Sequence, residues 1–279
     1  MPLAPGGSGP RPVRVRAVAA RPTHQQGGDA VTSSLHQLLA ALPPGDELVD
    51  AKAAASVRER ASQTLRPDGA LAALDDIAVH LAGWQHTERP AVHHPAVLVF
   101  AADHGVTAAG VSNYPATITS SMLAAVEQGR ATVNAMAAAV GAAVHVYDVG
   151  VGRPTGDIRI EPALDLERFN GVVATASRAV DSVAEAGADV IVLGELGIGN
   201  TTIAAALTTF FTDTPIDTAV GRGTGIDDEG LRRKRSAVAT AVQRCSGLTD
   251  PLVILREIGG AELAAIAAAC VRARQLRIP

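Results

Sequence analysis

The stretch Asp189-Val190-Ile191-Val192-Leu193-Gly194-Glu195-Leu196-Gly197-Ile198-Gly199-Asn200-Thr201-Thr202 decides the fold class. Its first five residues are β-branched or apolar after the acid and do not alternate with polar ones, as expected of a strand buried on both faces of a parallel sheet. Three glycines then break the run, and Ile203, Ala206 and Leu207 resume it with helical spacing. A strand, a glycine loop and a helix thus follow one another directly.

Two further runs have the same design. Ala96-Val97-Leu98-Val99-Phe100 leads into Asp103-His104-Gly105, and Ala143-Val144-His145-Val146-Tyr147 leads into Asp148-Val149-Gly150. Short apolar runs separated by Ala-rich helical segments imply an α/β protein, with a mostly parallel sheet and flanking helices in a Rossmann-like arrangement. In such sheets ligands bind outside the carboxyl ends of the strands. Acids and glycines are common in any exposed strand-to-helix loop, but three in succession converge on one rim and mark it as a candidate site.

Upstream, residues 34–90 read as a small helical subdomain. Leu35, Leu38, Leu39 and Leu48, then Leu71, Leu74, Ile77 and Leu81, recur at helical spacing, broken at Pro43-Pro44-Gly45 and Arg66-Pro67-Asp68-Gly69. Residues 91–279 form the α/β core. Residues 1–33 are rich in Pro, Gly and Arg and are expected to be a disordered tail, because this composition cannot build a core and lacks the apolar segment of a secretory signal.

The 279 residues are 47% apolar, enough for one large core, and the formal net charge of −4 gives no field that would gather nucleic acid or an anionic membrane. No run approaches the roughly 18 to 20 uninterrupted apolar residues of a membrane span. The two cysteines, Cys245 and Cys270, have no metal-ligand spacing, so neither a metal site nor a disulfide framework is expected, and a cytoplasmic location is the default. No cofactor is called for.

Glycines let backbone N–H groups close around an anion, and Asn200 or Thr201 is suited to cap the helix whose first turn adds free donors and a positive dipole end. A phosphate is the natural guest. Gly194, Gly199 and Thr201 fit a P-loop frame, but Asn200 replaces its lysine and Glu195 would repel a triphosphate. The dinucleotide fingerprint fails too, since the glycine order is G-x-x-G-x-G rather than G-x-G-x-x-G. A second cluster, Gly221-Arg222-Gly223-Thr224-Gly225, precedes Ile226-Asp227-Asp228-Glu229, an acidic stretch suited to a helix first turn. In the following Leu231-Arg232-Arg233-Lys234-Arg235, successive residues point about 100° apart, so at most one or two of the four cations can face a ligand.

These blocks, in order, resemble the nicotinate-nucleotide:dimethylbenzimidazole phosphoribosyltransferase (CobT) family. The matching residues are Ala102-Asp103-His104-Gly105-Val106, Val111-Ser112-Asn113-Tyr114-Pro115 with Thr119, Asp148-Val149-Gly150, Gly194 to Thr202, Gly221 to Asp227 with Lys234, and Gly259-Gly260-Ala261-Glu262. Arg66-Pro67-Asp68-Gly69 with Leu71 and Leu74 resembles an N-terminal element of the family, although Ala70, Ala72 and Ala73 stand where Ser, Gly and Arg are usual. The similarity runs from about residue 34 to the end.

The resemblance implies transfer of ribose 5-phosphate from nicotinate mononucleotide to 5,6-dimethylbenzimidazole, by a homodimer. Carried over residue by residue, it puts the 5′-phosphate on Gly194, Gly197, Gly199, Asn200, Thr201 and Thr202, with Gly221 and Lys234. Glu195 falls beside the reacting ribose, with Asp103 a second candidate carboxylate on the same rim. Tyr114, Pro115 and Met122 fall in the benzimidazole slot, and for Met122 plain helix packing is an equal alternative. His104 is expected to orient its loop. The family's general base is a glutamate in a stretch that would follow Arg277-Ile278-Pro279. Little turnover is therefore expected from these 279 residues alone, and an open sheet edge near Leu276 to Pro279. A binding protein that keeps the phosphate loop without the base is the competing reading.

Overall fold

At five of the described helices a side chain at the N-cap accepts from an otherwise unpaired backbone N–H group and fixes where the helix starts. The computed structural model describes residues 33–279 except Asp68; the tail expected over 1–33 falls almost wholly outside them. Ser33 caps α1 (Ser34–Ala40), which is followed by the short α2 (Gly45–Leu48). Asp50 caps α3 (Ala51–Gln63), and α4 (Ala72–Gln85) closes the helical region. The breaks fall where Pro43-Pro44 and Arg66-Pro67 interrupt the pattern.

β1 (Pro95–Ala102) opens the sheet, and α5 (Ile118–Glu127), α6 (Thr132–Ala139), β2 (Ala143–Gly150), α7 (Leu166–Glu185) and β3 (Val190–Leu196) follow. Then come α8 (Asn200–Thr212), α9 (Ile216–Ala219), α10 (Asp228–Arg244), α11 (Pro251–Ile258) and α12 (Ala261–Gln275). Asp165, Asp227 and Asp250 cap α7, α10 and α11. The three strands are parallel in the order β2-β1-β3, with Phe100 opposite both Tyr147 and Glu195. This is the parallel α/β sheet with flanking helices that the sequence implies.

Alternation along β1 splits the core in two. Ala96, Leu98, Phe100 and Ala102 join the main core with Phe169, Val173 and Val180 of α7 and Ala264, Ala265 and Ala268 of α12. Val97 and Val99 face the other way, towards Ala137 and Val133 of α6. Only β1 is buried along nearly its whole length. The expectation that all three runs are covered on both faces fails for β2 and β3, where His145 and Val192 are exposed, because these strands flank β1. Beyond β3, Ile191 N–H donates to Pro279 O at 2.9 Å.

In the N-terminal region α3 and α4 pair around a small core of their own, made by Ala53, Val57, Val79 and Ala82. α1 behaves differently: Leu35 enters the main core, Ser34 bonds to Asn170 of α7, and Gln275 of α12 donates to Leu38 O. No described helix is long and apolar enough to cross a membrane.

Candidate functional site

The carboxyl ends of the strands form the rim on which the site is built. Past Leu196, the chain turns directly over the end of β1: a Cβ on Gly197 would lie 2.3 Å from Ala102 O and 2.9 Å from His104 Nε2. Glycine is required there by contact. At Gly199 it is required by conformation as well, since φ is +93° and a Cβ would meet Thr107 Cγ2 at 2.9 Å. Ile198 N–H between them donates to the buried Thr119 hydroxyl at 3.2 Å.

Gly199 is the N-cap of α8, and no side chain caps that helix, contrary to the expectation for Asn200 or Thr201. Both side chains are directed elsewhere: Asn200 Nδ2 donates to Glu195 Oε2, and Thr201 Oγ1 accepts from Lys234 Nζ at 2.8 Å. At the start of α8, Asn200 N–H donates to Gly197 O at 3.2 Å and Thr202 N–H to Gly199 O at 2.9 Å, which leaves the N–H groups of Gly199 and Thr201 to face an anion. Gly194 is not part of this loop. It lies within β3 opposite Val99, because the strand continues to Leu196.

Lys234 is 1% exposed on the inner face of α10. Its ammonium also donates to Gly221 O at 3.2 Å, and a Cβ on Gly223 (φ +53°) would come within 3.1 Å of Nζ. Among the described residues no carboxylate lies within ion-pair distance of it. Its three cationic neighbours, by contrast, are spent on the surface: Arg232 and Arg233 pair with Glu229, and Arg235 with Asp217. Burial pulls the Lys234 ammonium pKa below the usual lysine value. An ammonium buried without a counter-charge is costly, and an anionic ligand is the means of offsetting it that this site offers.

Glu195 sits at the end of β3. Although the residue is exposed overall, desolvation around the carboxyl pushes its pKa up, Glu262 adds to the rise and His104 opposes it. Thr202 is fully buried, with its hydroxyl unpartnered. Asp103 is buried too. One carboxylate oxygen accepts from Gly152 N–H at 2.8 Å, bracing the loop after β2, and the other has no partner.

Beside Glu195 a cavity of about 530 Å³ opens between β3 and the α5–α6 connection. Met122, Val126, Val99 and Leu196 make it apolar, and Glu195 and Arg130 supply its charges. Of the three residues expected to line an aromatic slot, Met122 is present. Tyr114 and Pro115 are exposed and do not line this cavity; their loop leans on the second glycine cluster, Asn113 N–H donating to Thr224 Oγ1 at 3.2 Å. Sequence reasoning did not single out Arg130, whose signal is faint: a lone cation after Gly129 at the end of α5. Among the described residues no cluster of His, Cys, Asp and Glu is arranged to hold a metal.

The parallel α/β fold and this rim, a glycine loop with a buried ammonium and an apolar cavity bordered by Glu195, define an α/β protein with a candidate ligand site at the carboxyl ends of its strands. A family model described as phosphoribosyltransferase matches residues 47–279, and the chain belongs to that family. The chain is 39% identical over 251 residues to the nicotinate-nucleotide–dimethylbenzimidazole phosphoribosyltransferase of Methylocella silvestris, covering 90% of this chain and 71% of that protein. With its counterpart in Ruegeria pomeroyi it is 43% identical over 230 residues, covering 82% and 67%. Among solved structures, CobT from Thermus thermophilus superposes with a TM-score of 0.77 at 38% identity, covering 82% of this chain and 73% of that one.

Proposed function

We propose that the protein transfers ribose 5-phosphate from nicotinate mononucleotide to 5,6-dimethylbenzimidazole, releasing nicotinate and α-ribazole 5′-phosphate for the lower-ligand nucleotide of cobalamin. The observation that carries this reading is the buried, unpaired Lys234 ammonium facing Thr201 and Gly221, with the open first turn of α8 beside it.

In this reading the 5′-phosphate is held by the N–H groups of Gly197, Gly199 and Thr201 and by Lys234, and Thr202 offers its free hydroxyl. The phosphate anchors the sugar so that C1′ lies near Glu195. The C1′–N bond of the nicotinate breaks with its electron pair passing to the ring nitrogen, so a cationic pyridinium leaves as a neutral ring without a general acid. Positive charge develops on the sugar, and the Glu195 carboxylate stabilises it electrostatically. A benzimidazole nitrogen then bonds to C1′ from the opposite face, inverting the centre, and the N–H across the ring gives up its proton to a base. The apolar cavity with Met122 holds the flat acceptor and keeps water from the donor. Asp103 fixes the loop after β2 at the same rim. Tyr114 and Pro115 act at the mouth of the site, through the loop that supports Gly221 to Gly225.

We assign the enzyme to the cytoplasm as a homodimer needing neither metal nor nucleic acid. The test is chromatography of the purified chain incubated with both substrates, with calorimetry of the donor alone. Binding of nicotinate mononucleotide is expected, with little turnover, the α-ribazole phosphate and nicotinate that do form appearing in equal amounts. Failure to bind nicotinate mononucleotide would overturn the reading, and binding without product would reduce it to a binding protein.

A further inference from the structure

One loop ties the two halves of the site together. Ser112 to Pro115 run between Val111, buried in the main core, and the start of α5. Among the described residues, the hydrogen bonds from this loop to elements remote in the chain all end on Thr224. Asn113 N–H donates to Thr224 Oγ1 at 3.2 Å, and Ser112 Oγ lies 3.3 Å from the same oxygen. Ser112 Oγ in turn accepts from Tyr114 N–H at 3.2 Å. Ile118 N–H donates to Pro115 O at 3.1 Å, so the loop also sets the start of the helix that carries Met122. A second tie runs from α10. Arg233 Nε donates to Gly110 O at 3.2 Å, while its Nη1 lies 3.6 Å from Glu229 Oε1. A Cβ on Gly110 (φ +64°) would fall 3.0 Å from that Nε, so glycine lets the guanidinium reach this carbonyl. Both ties start beside the phosphate cradle: Thr224 closely follows Gly221, and Arg233 directly precedes Lys234.

We propose that Thr224 and Arg233 are positioning residues that couple the donor and acceptor subsites. A phosphate on Lys234 orders the Gly221 to Gly225 segment, and Thr224 and Arg233 pass that order to the loop at the mouth of the acceptor cavity. This rests on the reading of Lys234 as a phosphate ligand and of Tyr114 as a residue at the acceptor mouth. Gly221, Gly223 and Gly225 give the free segment many conformations, and a ligand that removes them lowers the cost of the next binding step. The coupling is reciprocal, because each ligand must change the affinity for the other by the same factor. Thr224 and Arg233 are themselves exposed, so their ties add little to global stability and act on where the loop lies.

The experiment is calorimetry of the full chain with dimethylbenzimidazole and with ribose 5-phosphate, which fills the cradle without a nicotinate to release. Each ligand is titrated alone and with the other saturating. Ribose 5-phosphate should tighten dimethylbenzimidazole binding about fivefold, the low end of coupling between sites, and the reverse titration should give the same factor. Thr224→Val keeps the shape but removes the hydroxyl, and should bring the factor to about one, the value for independent sites. Thr224→Ser, which keeps the hydroxyl, should retain it, and Arg233→Gln should reduce it independently. A merely structural fault weakens a ligand equally with and without its companion and leaves the factor untouched. Thermal melting shows whether each variant folds. A factor of about one in the parent overturns the proposal while the assigned reaction stands. So does an undiminished factor in Thr224→Val, or in Arg233→Gln should the first variant not fold. Failure of ribose 5-phosphate to bind the parent overturns the reading of the cradle and the proposal with it.

Discussion

Lys234 Nζ donates to Thr201 Oγ1 at 2.8 Å, a contact that ties the buried face of α10 to the first turn of α8. It joins the two glycine clusters into one cradle, since the same ammonium reaches Gly221 O at 3.2 Å. Lys234→Ala should weaken binding of nicotinate mononucleotide by about 1.5–3 kcal/mol, or one to two decades, as for a charge-assisted contact. Free nicotinate has no phosphate, so its affinity should hold. Equal losses for both ligands in calorimetry would place Lys234 outside the phosphate site. ATP should bind poorly in the same assay.

Gly197 and Gly221 make a paired test of the cradle's backbone. At Gly197 an alanine methyl would meet Ala102 O at 2.3 Å, and the loop must lift off β1 to accommodate it. Gly197→Ala should cost about 1–3 kcal/mol of stability, typical of overpacking, and should reduce donor affinity as well. Nothing lies within 4 Å of a Cβ at Gly221, whose carbonyl survives the change. Gly221→Ala should therefore stay within about 0.5 kcal/mol of the parent. Denaturant melts of both variants decide the matter, and equal stabilities would refute the close crossing.

The strands and the glycine loop were legible because their signals are local: apolar runs that do not alternate, ended by glycines. Lys234 was legible as one of four consecutive cations, but helix geometry alone could not say which one turned inward. What escaped depends on neighbours remote in the chain. Exposure of His145 and Val192 follows from strand order, which periodicity does not encode. Gly194 looked like the first residue of the loop, yet β3 runs on to Leu196 because pairing with β1 continues to Ala101. The burial of Glu262 against His104 needs α12 to start at the end of β1, and no local spacing announces that.

Stability in acid should depend on Asp250. Burial alone would raise its pKa, but hydrogen bonds from His36 and from Leu252 and Val253 N–H outweigh it and hold the carboxyl below its ordinary value of 3.8. His36 Nε2 lies 2.9 Å from Asp250 Oδ2 and links α1 to the start of α11. A depressed folded pKa gives stability that is present above the unfolded value and is lost as pH falls through the folded one. The melting temperature of the parent should accordingly drop more steeply below about pH 4 than that of Asp250→Asn, which keeps an N-cap oxygen but has no carboxylate to titrate. Parallel curves would show that Asp250 contributes nothing to the acid transition.

Met122 tests the acceptor side separately from the donor side. It is 41% exposed and lines the 530 Å³ cavity together with Val126, Leu196 and Glu195, so its side chain borders the space assigned to the benzimidazole. Ordinary helix packing is the alternative role, and the two make different demands. A packing methionine, when shortened, costs stability and weakens both substrates alike. A slot methionine that is partly solvent-facing in the free protein costs little stability, and its loss falls on the acceptor. Met122→Ala should therefore melt within about 1 kcal/mol of the parent, since a part-exposed side chain forfeits only part of the burial energy of a core residue. Dimethylbenzimidazole affinity should fall by roughly 1–2 kcal/mol, the range for removing a few apolar contacts from a pocket, with the nicotinate mononucleotide affinity unchanged. Met122→Lys should go further, because a cation set against the apolar wall must be desolvated when the arene enters. Unaltered acceptor binding in both variants, measured by calorimetry with donor present, would move the benzimidazole out of this cavity and towards the exposed Tyr114 and Pro115.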